Sequence, residues 1–556
     1  MTGNIELSDG DKSLLNSSID ARIHAAGLSI ERYRPYYEQY LPFRQTTGVL
    51  NIDTHLKGNA SRFVSEGSVA VKNLDLRYPE VFHTALTPKD VSLGYKIQRT
   101  PSEIIMDKLN LKVDDFKISG RCAIKDIDKN DPLITAEAFS SPISLEKFGP
   151  FIPYGIISER VADFIKTRIK GGIYQLKEGS INGRISQIAH MDENENYNVL
   201  HVKVGVDEGM LSYGKNVPIF SGIKGELELR GKDLLLHNMS GKFGESPIAL
   251  EGRITDYCLA TPASYPFAAT IIPGQKEIAW FLGIGGGGNF AFTGKTFLQM
   301  TGSGTTNNYA LSGRWDLTDV SYSYNDVFTK PQSQSNRVVF ESNIKNGKVQ
   351  VEAFSYQLAS LNVNATAIYR IKDQYLSAFT VESNAFQIED LLSNLPRIRT
   401  YQPRGSMRLA LTGSGIPKSI ADLDLRGNIS FSGAAFKAFS TLKAISALNG
   451  AVSLGKNRLD TSLLAGRIGG SLIQGRATLK DFTNPSVRVK VSSDLLDPED
   501  VGLQSPSGAI KLRNFTGDIV FRDNGLLIKR LSTQMNDSVF SVTGAMPNVK
   551  KPFFDI

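Results

Sequence analysis

The stretch GKFGESPI at residues 241–248 recurs without a gap as GRIGGSLI at residues 466–473. Each copy follows two short runs of alternating apolar and polar residues, and each precedes a Gly-Arg step, at 252–253 and 475–476. A looser copy runs from Thr533 to Gly544. A hairpin-sized phrase that returns along 556 residues predicts an elongated β assembly built by addition of similar units.

The dominant period of the chain is two residues, which is the period of a β-strand with one apolar face. Residues 223–230 read IKGELELR, so Ile, Gly, Leu and Leu alternate with charged side chains. The turn GKD at 231–233 then leads into a return strand. Similar pairs are predicted at 109–120 and at 519–528, where Asp-Asn-Gly is a strong signal for a tight hairpin.

Alternation of this kind gives an antiparallel sheet with one dry and one wet face. The dry face could meet a second apolar layer in a closed core, or it could line an open groove. The apolar positions that we select for this face are Leu109, Leu111, Val113, Ile223, Leu227, Leu229, Leu234, Leu236, Ile248, Leu250 and Ile254.

Helical patterns are few and short. Residues 156–170 place an apolar stripe on one side of a helix, and the glycine pair at 171–172 would end it. Packing over a sheet edge or groove is the preferred role of this helix, and attachment to a membrane surface is the alternative. Weaker helices are expected at 386–395 and 436–448, and a Tyr-rich one at 28–41 is interrupted by proline.

Composition excludes several classes of protein. Hydrophobic residues make up 41% and charged residues 21%, so the chain is not expected to be disordered. The balance of 63 Lys+Arg against 56 Asp+Glu leaves +7, without a run of five like charges. We interpret this charge as a mixed solvated surface rather than a site for nucleic acid or anionic lipid.

The cysteines and the ends of the chain carry little chemistry. Cys122 and Cys258 lack metal-ligand spacing and are expected to be buried small hydrophobes. No run of 18 apolar residues predicts a membrane-spanning helix, and the first ten residues do not resemble a signal peptide. Because the chain opens and stops inside strand-like runs, we expect it to be a piece of a longer protein.

The sequence contains no complete motif for catalysis or for metal or nucleotide binding. Gly-Lys-Thr at 294–296 ends like a phosphate-binding loop, but Asn289 stands where that loop needs glycine. The six histidines are scattered, the acidic loop at 191–198 lacks the ligand order of a calcium loop, and no Gly-x-Ser-x-Gly elbow occurs. The sequence therefore predicts a protein that is not an enzyme, with no catalytic residue, metal, cofactor or nucleotide.

The order of segments between residues 155 and 256 resembles a known family. After the predicted helix come IKGGIY at 169–174, GSINGRI at 179–185, VGVDEGMLSY at 204–213, IKGEL at 223–227 and GKFG at 241–244. This order resembles the central region of the AsmA-like family, most closely its YhdP type. The motif consists of glycines, apolar residues and spacing, without a catalytic signature.

The resemblance extends to most of the chain. Residues 67–79 and 450–475 also resemble AsmA-type repeats. The division that follows is a partial strand and Tyr-rich segment at 1–45, repeats ending in a short helix at 46–170, a central region at 171–330, a repeat with a short helix at 331–400, and truncated C-terminal repeats at 401–556.

The resemblance implies a function. Members of the family form long β-structures curved into a hydrophobic groove, are anchored in the inner membrane of Gram-negative cells, and carry phospholipid across the periplasm toward the outer membrane. It therefore implies a non-enzymatic periplasmic lipid carrier, anchored through a segment outside this chain, with the eleven dry-face residues holding acyl chains. Burying an acyl chain is favourable by about 0.8 kcal/mol per CH₂. The alternative is a structural or adhesive β-repeat protein with a closed core.

Overall fold

The computed structural model describes residues 2–547 except for 7–16, 40–44, 156, 158, 192, 258–262, 284–288, 418–421, 438–441, 483, 504–509 and 524. Strands account for 64% of the chain and helices for 11%. The predicted mostly β fold, with antiparallel pairing and few short helices, is confirmed. The chain divides into two compact units, Met1–Ile271 and Ile272–Ile556, and this boundary falls inside the segment predicted at 171–330.

The first unit is an antiparallel sheet in which each strand pairs with the next along the chain, except that β8 and β9 both pair with β10. Its strands are β1 (Thr2–Glu6), β2 (Ser18–Ser29), β3 (Gln45–Asn59), β4 (Arg62–Arg77), β5 (Asp90–Arg99), β6 (Glu103–Val113), β7 (Phe116–Lys125), β8 (Leu133–Ser140), β9 (Ile143–Ser144), β10 (Ile169–Arg184), β11 (Leu200–Leu211), β12 (Phe220–Arg230), β13 (Asp233–Phe243), β14 (Ser246–Ile254) and β15 (Phe267–Ile271).

The second unit continues the same antiparallel pattern, with a separate three-stranded sheet formed by β16, β19 and β20. Its strands are β16 (Phe290–Thr293), β17 (Leu298–Thr305), β18 (Asn308–Asp316), β19 (Ser321–Tyr324), β20 (Phe328–Lys330), β21 (Asn336–Lys345), β22 (Lys348–Leu358), β23 (Leu361–Arg370), β24 (Tyr375–Ser383), β25 (Phe386–Gln387), β26 (Arg404–Gly415), β27 (Leu423–Phe436), β28 (Ile445–Gly455), β29 (Arg458–Thr461), β30 (Leu464–Ile468), β31 (Ser471–Lys480), β32 (Ser486–Leu496), β33 (Leu512–Arg522), β34 (Gly525–Met535) and β35 (Ser538–Met546).

Helices are short throughout the described residues. The α-helices are α1 (Arg34–Tyr37), α2 (Leu145–Phe148), α3 (Glu159–Arg168), α4 (Ile185–Ala189), α5 (Gln275–Phe281) and α6 (Pro396–Arg399), and single 3₁₀ turns occupy Glu31–Tyr33, Gly149–Phe151, Asn196–Val199, Ile388–Leu391 and Pro498–Val501.

The repeated stretch forms two hairpins of the same register. Phe243 pairs with Ser246 and Ile468 with Ser471, so each loop has two residues. The first loop residue is glycine in both copies, at φ +61° and +57°, a conformation that glycine adopts without a steric penalty. The looser copy closes in the same way, with Asn536 at φ +53° in the loop.

The helix predicted at 156–170 is shorter than expected. α3 ends at Arg168, and Gly171 and Gly172 lie inside β10 rather than after a helix. The physical reason is strand pairing, because Ile169 pairs with Leu211. At Gly172 an added Cβ would stand 2.9 Å from the Cα of Gly209 in the neighbouring strand, so glycine is needed for close approach of the strands rather than to end a helix.

Two weaker helix predictions are also corrected. Of residues 386–395, the first two form β25 and the next four a 3₁₀ turn. Phe436 ends β27, and residues 445–448 belong to β28. Strand pairing explains the extended parts of both segments: Phe386 and Gln387 pair with β26, and Phe436 of β27 pairs with Ile445 of β28.

The predicted dry face is continuous across the first unit. One row of directly opposed residues crosses eight strands from β6 to β14: Leu109, Gly120, Ala138, Gly179, Val202, Leu229, Leu234 and Ile254. Directly opposed residues project from the same side of a sheet. All eleven residues selected from the sequence lie on this side, in this row or up to three rows from it.

The opposite face carries the charged residues. Glu226 contacts Lys177 and Lys203, and Arg121 forms a bidentate pair with Glu137. These are cross-strand pairs on a solvated surface, where each pair contributes little to stability. The alternation in the sequence therefore separates two chemically distinct faces of one sheet.

The dry face is not sealed over much of its area. The eleven selected residues are all half-buried, and both clusters of fully buried apolar side chains in the described part of the chain belong to the second unit. The chain exposes 33722 Å², whereas two compact globular units of half its mass would together expose roughly 24,000 Å². Because these eleven side chains are half-buried, part of the apolar surface of the dry face remains accessible.

Candidate functional site

A segment of eight or nine residues recurs beside the dry face, and we name its copies caps. The first cap, at 28–36, reads LSIERYRPY, and the second, at 143–151, reads ISLEKFGPF. The third, at 386–394, reads FQIEDLLSN, and the fourth, at 496–503, begins LDPEDV. Each begins with an apolar residue and has glutamate at its fourth position.

The caps occupy equivalent places in the strand order. The first residue of each cap pairs with the strand that follows it: Leu28 with Leu50, Ile143 with Tyr174, Phe386 with Met407, and Leu496 with Leu512. A helical turn then begins within four residues. Each cap therefore leaves the sheet at the same point of a repeating unit.

The second and third caps share the same hydrogen bonds at the point where the chain leaves the sheet. The hydroxyl of Ser140 donates to the carbonyl of Ser141 (3.0 Å) and accepts from the amide of Leu176 (2.9 Å). The hydroxyl of Ser383 donates to the carbonyl of Asn384 (2.8 Å) and accepts from the amide of Leu409 (3.0 Å). The serine replaces backbone pairing where the chain leaves the ladder.

The repeat is longer than the hairpin phrase indicates. The fourth-position glutamates are Glu31, Glu146, Glu389 and Glu499. Glu277, in the helix α5 that follows β15, stands between the second and third. The successive spacings are 115, 131, 112 and 110 residues, so the structural unit is a group of strands closed by one cap.

Each of three caps contacts a two-residue hairpin loop that precedes it in the chain. In the second cap Lys147 Nζ lies 3.4 Å from the carboxylate of Asp115, in the loop between β6 and β7. Both side chains are mostly exposed. An ion pair of this kind contributes little to stability because water and salt screen it, so the cap depends instead on pairing of Ile143 and Ser144 with β10 and on the contact between Phe148 and Phe116.

The fourth cap is held by a buried carboxylate at the same cap position. Asp500 accepts hydrogen bonds from the amides of Gly470 (2.9 Å) and Ser471 (3.0 Å), the hydroxyl of Ser471 (2.7 Å), and Lys443 Nζ (2.8 Å). Burial raises the pKa of Asp500, but these hydrogen bonds outweigh burial and hold the pKa below its usual range. The repeated glycine phrase thus forms the anion-binding loop for this cap.

The third cap is held by apolar packing. Phe386 and Leu391 are buried together with Leu358, the last residue before the hairpin loop, and Ala359 in that loop packs against them. At the end of this cap the buried amide of Asn394 also donates to the carbonyl of Thr329 (2.9 Å), so apolar packing and a buried hydrogen bond fix the cap together.

Below the second cap the space is open. A cleft of about 1310 Å³ lies between the cap and strands β4 to β7. Its floor is the end of the dry face, where Val71, Val91, Val113 and Phe116 are directly opposed. This exceeds the roughly 300–1,000 Å³ of ordinary ligand pockets.

Aromatic rings form one wall of the cleft. The ring of Phe148 lies 5.5 Å from that of Phe116 and 6.3 Å from that of Phe151, measured between centroids. Phe82 adds a ring from the connection between β4 and β5. Leu111 and Ile118 complete an apolar interior without a buried ionised group.

The charged side chains that border the cleft are all exposed. Lys89 and Asp90 precede and begin β5, and Lys147 lies on the cap. The carboxylate of Asp114 is occupied, because it accepts from the amides of Lys89 and Asp90 at 3.0 Å each. Among the described residues, Lys89 has no ion pair.

The structure brings only some of the selected residues into this cleft. Leu111 and Val113 line it, and Leu109 is two residues away on the same strand. The others lie farther along the face, on β12, β13 and β14: Ile223, Leu227, Leu229, Leu234, Leu236, Ile248, Leu250 and Ile254. Phe148 and Phe151 are not among the residues that we selected from the sequence. The similarity between residues 28–36 and 143–151 could have indicated them.

Histidines that are distant in the sequence meet on the wet face. His201 and His237 each place Nε2 2.9 Å from the carboxylate of Glu228. The hydrogen bond from His201, and then that from His237, hold the pKa of Glu228 below its usual range despite burial. No group of His, Cys, Asp and Glu suited to a metal ion occurs among the described residues.

The remaining predicted features are simpler. Cys122 is a half-buried free thiol whose pKa is raised by burial, whereas Cys258 lies outside the described residues. Residues after the Gly-Lys-Thr string form strand β17 rather than a helix. None of the helices in the described ranges has the length and hydropathy required to cross a bilayer.

Comparison with known proteins does not assign the chain. No protein-family model matches it, and no curated protein matches it.

Proposed function

We propose that this protein is a non-enzymatic lipid carrier of the AsmA-like family, which holds phospholipid acyl chains against the dry face and conducts them between the inner and outer membranes. The observation that carries the proposal is the row of opposed apolar residues from Leu109 to Ile254, which crosses eight strands without a charged residue.

Physical chemistry favours occupation of such a face. Each CH₂ group moved from water onto it stabilises the complex by about 0.8 kcal/mol. An acyl chain gains from many aliphatic contacts of similar strength, so binding would be graded rather than centred on one residue. The proposed location is the periplasm, which fractionation of cells that produce the natural protein would test.

The proposal is tested by lipid mass spectrometry on the purified chain and its variants. Leu227→Asp together with Leu250→Asp places two charges on the dry face, and lipid should be lost while the circular dichroism stays unchanged. Leu235→Asp is the matched control, because Leu235 opposes Glu228 and Arg253 on the wet face. Wild-type protein that is free of lipid after gentle purification would overturn the proposal.

A structural or adhesive β-repeat protein is the second candidate. The observation that favours it is the pair of sealed clusters in the second unit, around Val320 and Leu358, which resemble an ordinary core. A soluble apolar spin probe distinguishes the two: it broadens the NMR signals of Leu227 and Leu250 only if the face is open.

A further inference from the structure

We infer that the cleft beneath the second cap is a bounded binding site for the acyl part of one phosphate-bearing lipid, covered by residues 143–151. This inference rests on the proposed function and deepens it, because it assigns one site on a long face. The observation that supports the inference is a difference between two caps. Side chains fill the space beneath the third cap, whereas a cleft lies beneath the second.

The floor and wall of the cleft suit an acyl chain. Two rows of opposed residues run across β4 to β7, one from Val71 to Phe116 and one from Val69 to Ile118. Of the second row, Leu111 and Ile118 line the cleft. Phe148 and Phe151 close the side away from the sheet. If an apolar cavity of this size contains only water, its lining side chains lack the van der Waals contacts that stabilise a packed core.

The mouth of the cleft suits a phosphate. Lys89 is exposed, immediately precedes β5 at the edge of the cleft, and lacks an ion pair among the described residues. Lys147 is paired only with Asp115, which is 91% exposed and easily displaced. Lys72 and Lys112 also border the cleft, but they alternate with Val71 and Val113 and so project on the opposite face.

Photocrosslinking tests the site. A benzophenone residue replaces Leu111 in the cleft, Leu227 farther along the face, or Lys112 on the wet face of the full chain. The probe is a vesicle of equal parts phosphatidylcholine and phosphatidylglycerol with radiolabelled phosphate. We expect label at the Leu111 and Leu227 positions and background at Lys112. Label at Leu227 with only background at Leu111 would overturn the cleft site and leave lipid carriage standing, whereas background at all three would overturn both.

Two variants separate cleft binding from general attraction. Val91→Trp fills the floor and should remove label at Leu111 while label at Leu227 persists. Lys147→Glu should reduce label at Leu111 by up to about fivefold, the scale of one exposed ion pair, and Lys112→Glu should leave it unchanged. The inference would be contradicted if Lys147→Glu and Lys112→Glu lost the same amount of label at Leu111. It would also be contradicted if Val91→Trp unfolded at the wild-type temperature and kept its label at Leu111 unchanged. If inorganic phosphate alone displaced the label, this would contradict the inference that the cleft binds the acyl chain of the lipid.

Discussion

The second and third caps are copies of one segment with opposite surroundings. Both leave the sheet through the same serine hydrogen bonds and pair with the next strand in the same register. Phe148 and Leu391 hold the same cap position, yet Leu391 is buried in a cluster while Phe148 stands over a cleft. Sequence similarity between caps therefore does not determine whether the face beneath is closed.

The difference comes from what the chain inserts nearby. In the second unit a three-stranded sheet supplies Phe292, Tyr322 and Phe328, whose rings pack on one another and against the two buried clusters. In the first unit the space beneath the second cap holds a cleft instead. Closure beneath the third cap thus combines Phe386 and Leu391 of the cap with Phe328 of the inserted sheet, whereas the second cap leaves part of the dry face accessible.

The largest expected effect compares the two caps directly. Leu391→Ala should lower the free energy of unfolding by about 3 kcal/mol, because it leaves a cavity in a filled cluster. Phe148→Ala should cost about 1 kcal/mol, since a half-buried ring over an open cleft loses few contacts. Denaturant unfolding monitored for each unit measures both, and equal losses would contradict the difference between the caps.

The next effect concerns how the fourth cap is held. Asp500→Ala should cost about 2 kcal/mol, because the buried amide and hydroxyl groups of Ser471 lose their acceptor, as does the partly buried amide of Gly470. Lys147→Ala, at the same cap position over the cleft, should leave stability unchanged within error. Hydrogen exchange at 470–471 reports the first change, and protection that survives without the carboxylate would show that the loop does not depend on it.

The hairpins were predictable from the sequence because their signals are local. The stretch at 241–248 combines alternation with a glycine at the loop position of positive φ, and neither depends on distant residues. The dry face followed from the same alternation, and the pairing places Leu109 and Leu229 in one row.

The caps and the cleft were not predictable in the same way. One glutamate and a few apolar positions at spacings above 100 residues give a weak repeat signal. The stripe at 156–170 fits a helix and a strand equally well at Ile169, and only pairing with Leu211 decides between them. The cleft depends on whether other segments fill the space, which no local pattern contains.

A smaller effect is expected from pH. The pKa of Asp500 is lowered in the folded protein, so its ionised form contributes stability that is present above the unfolded pKa, near 3.9, and is lost as pH falls through the folded pKa. Exchange protection around residues 497–503 should therefore fall when the pH drops below about 4. Asp500→Asn should remove this dependence, and a wild-type profile in that variant would assign it to other carboxylates.

The smallest effect tests the hairpin loop beneath the third cap. Ala359 has φ +49°, where the equivalent loop residue in the repeated stretch is glycine. A left-handed conformation costs an L-residue roughly 1–2 kcal/mol. Glycine avoids this cost, but its greater conformational entropy in the unfolded state cancels part of the gain. Ala359→Gly should therefore raise the free energy of unfolding of the second unit by about 0.5 kcal/mol. This gain is reduced by the loss of the methyl group's contact with the cluster around Leu358. Thermal unfolding beside Ala310→Gly, a strand control that should only destabilise, measures the sign. Destabilisation at Ala359 as large as at Ala310 would mean that packing against the third cap outweighs backbone strain.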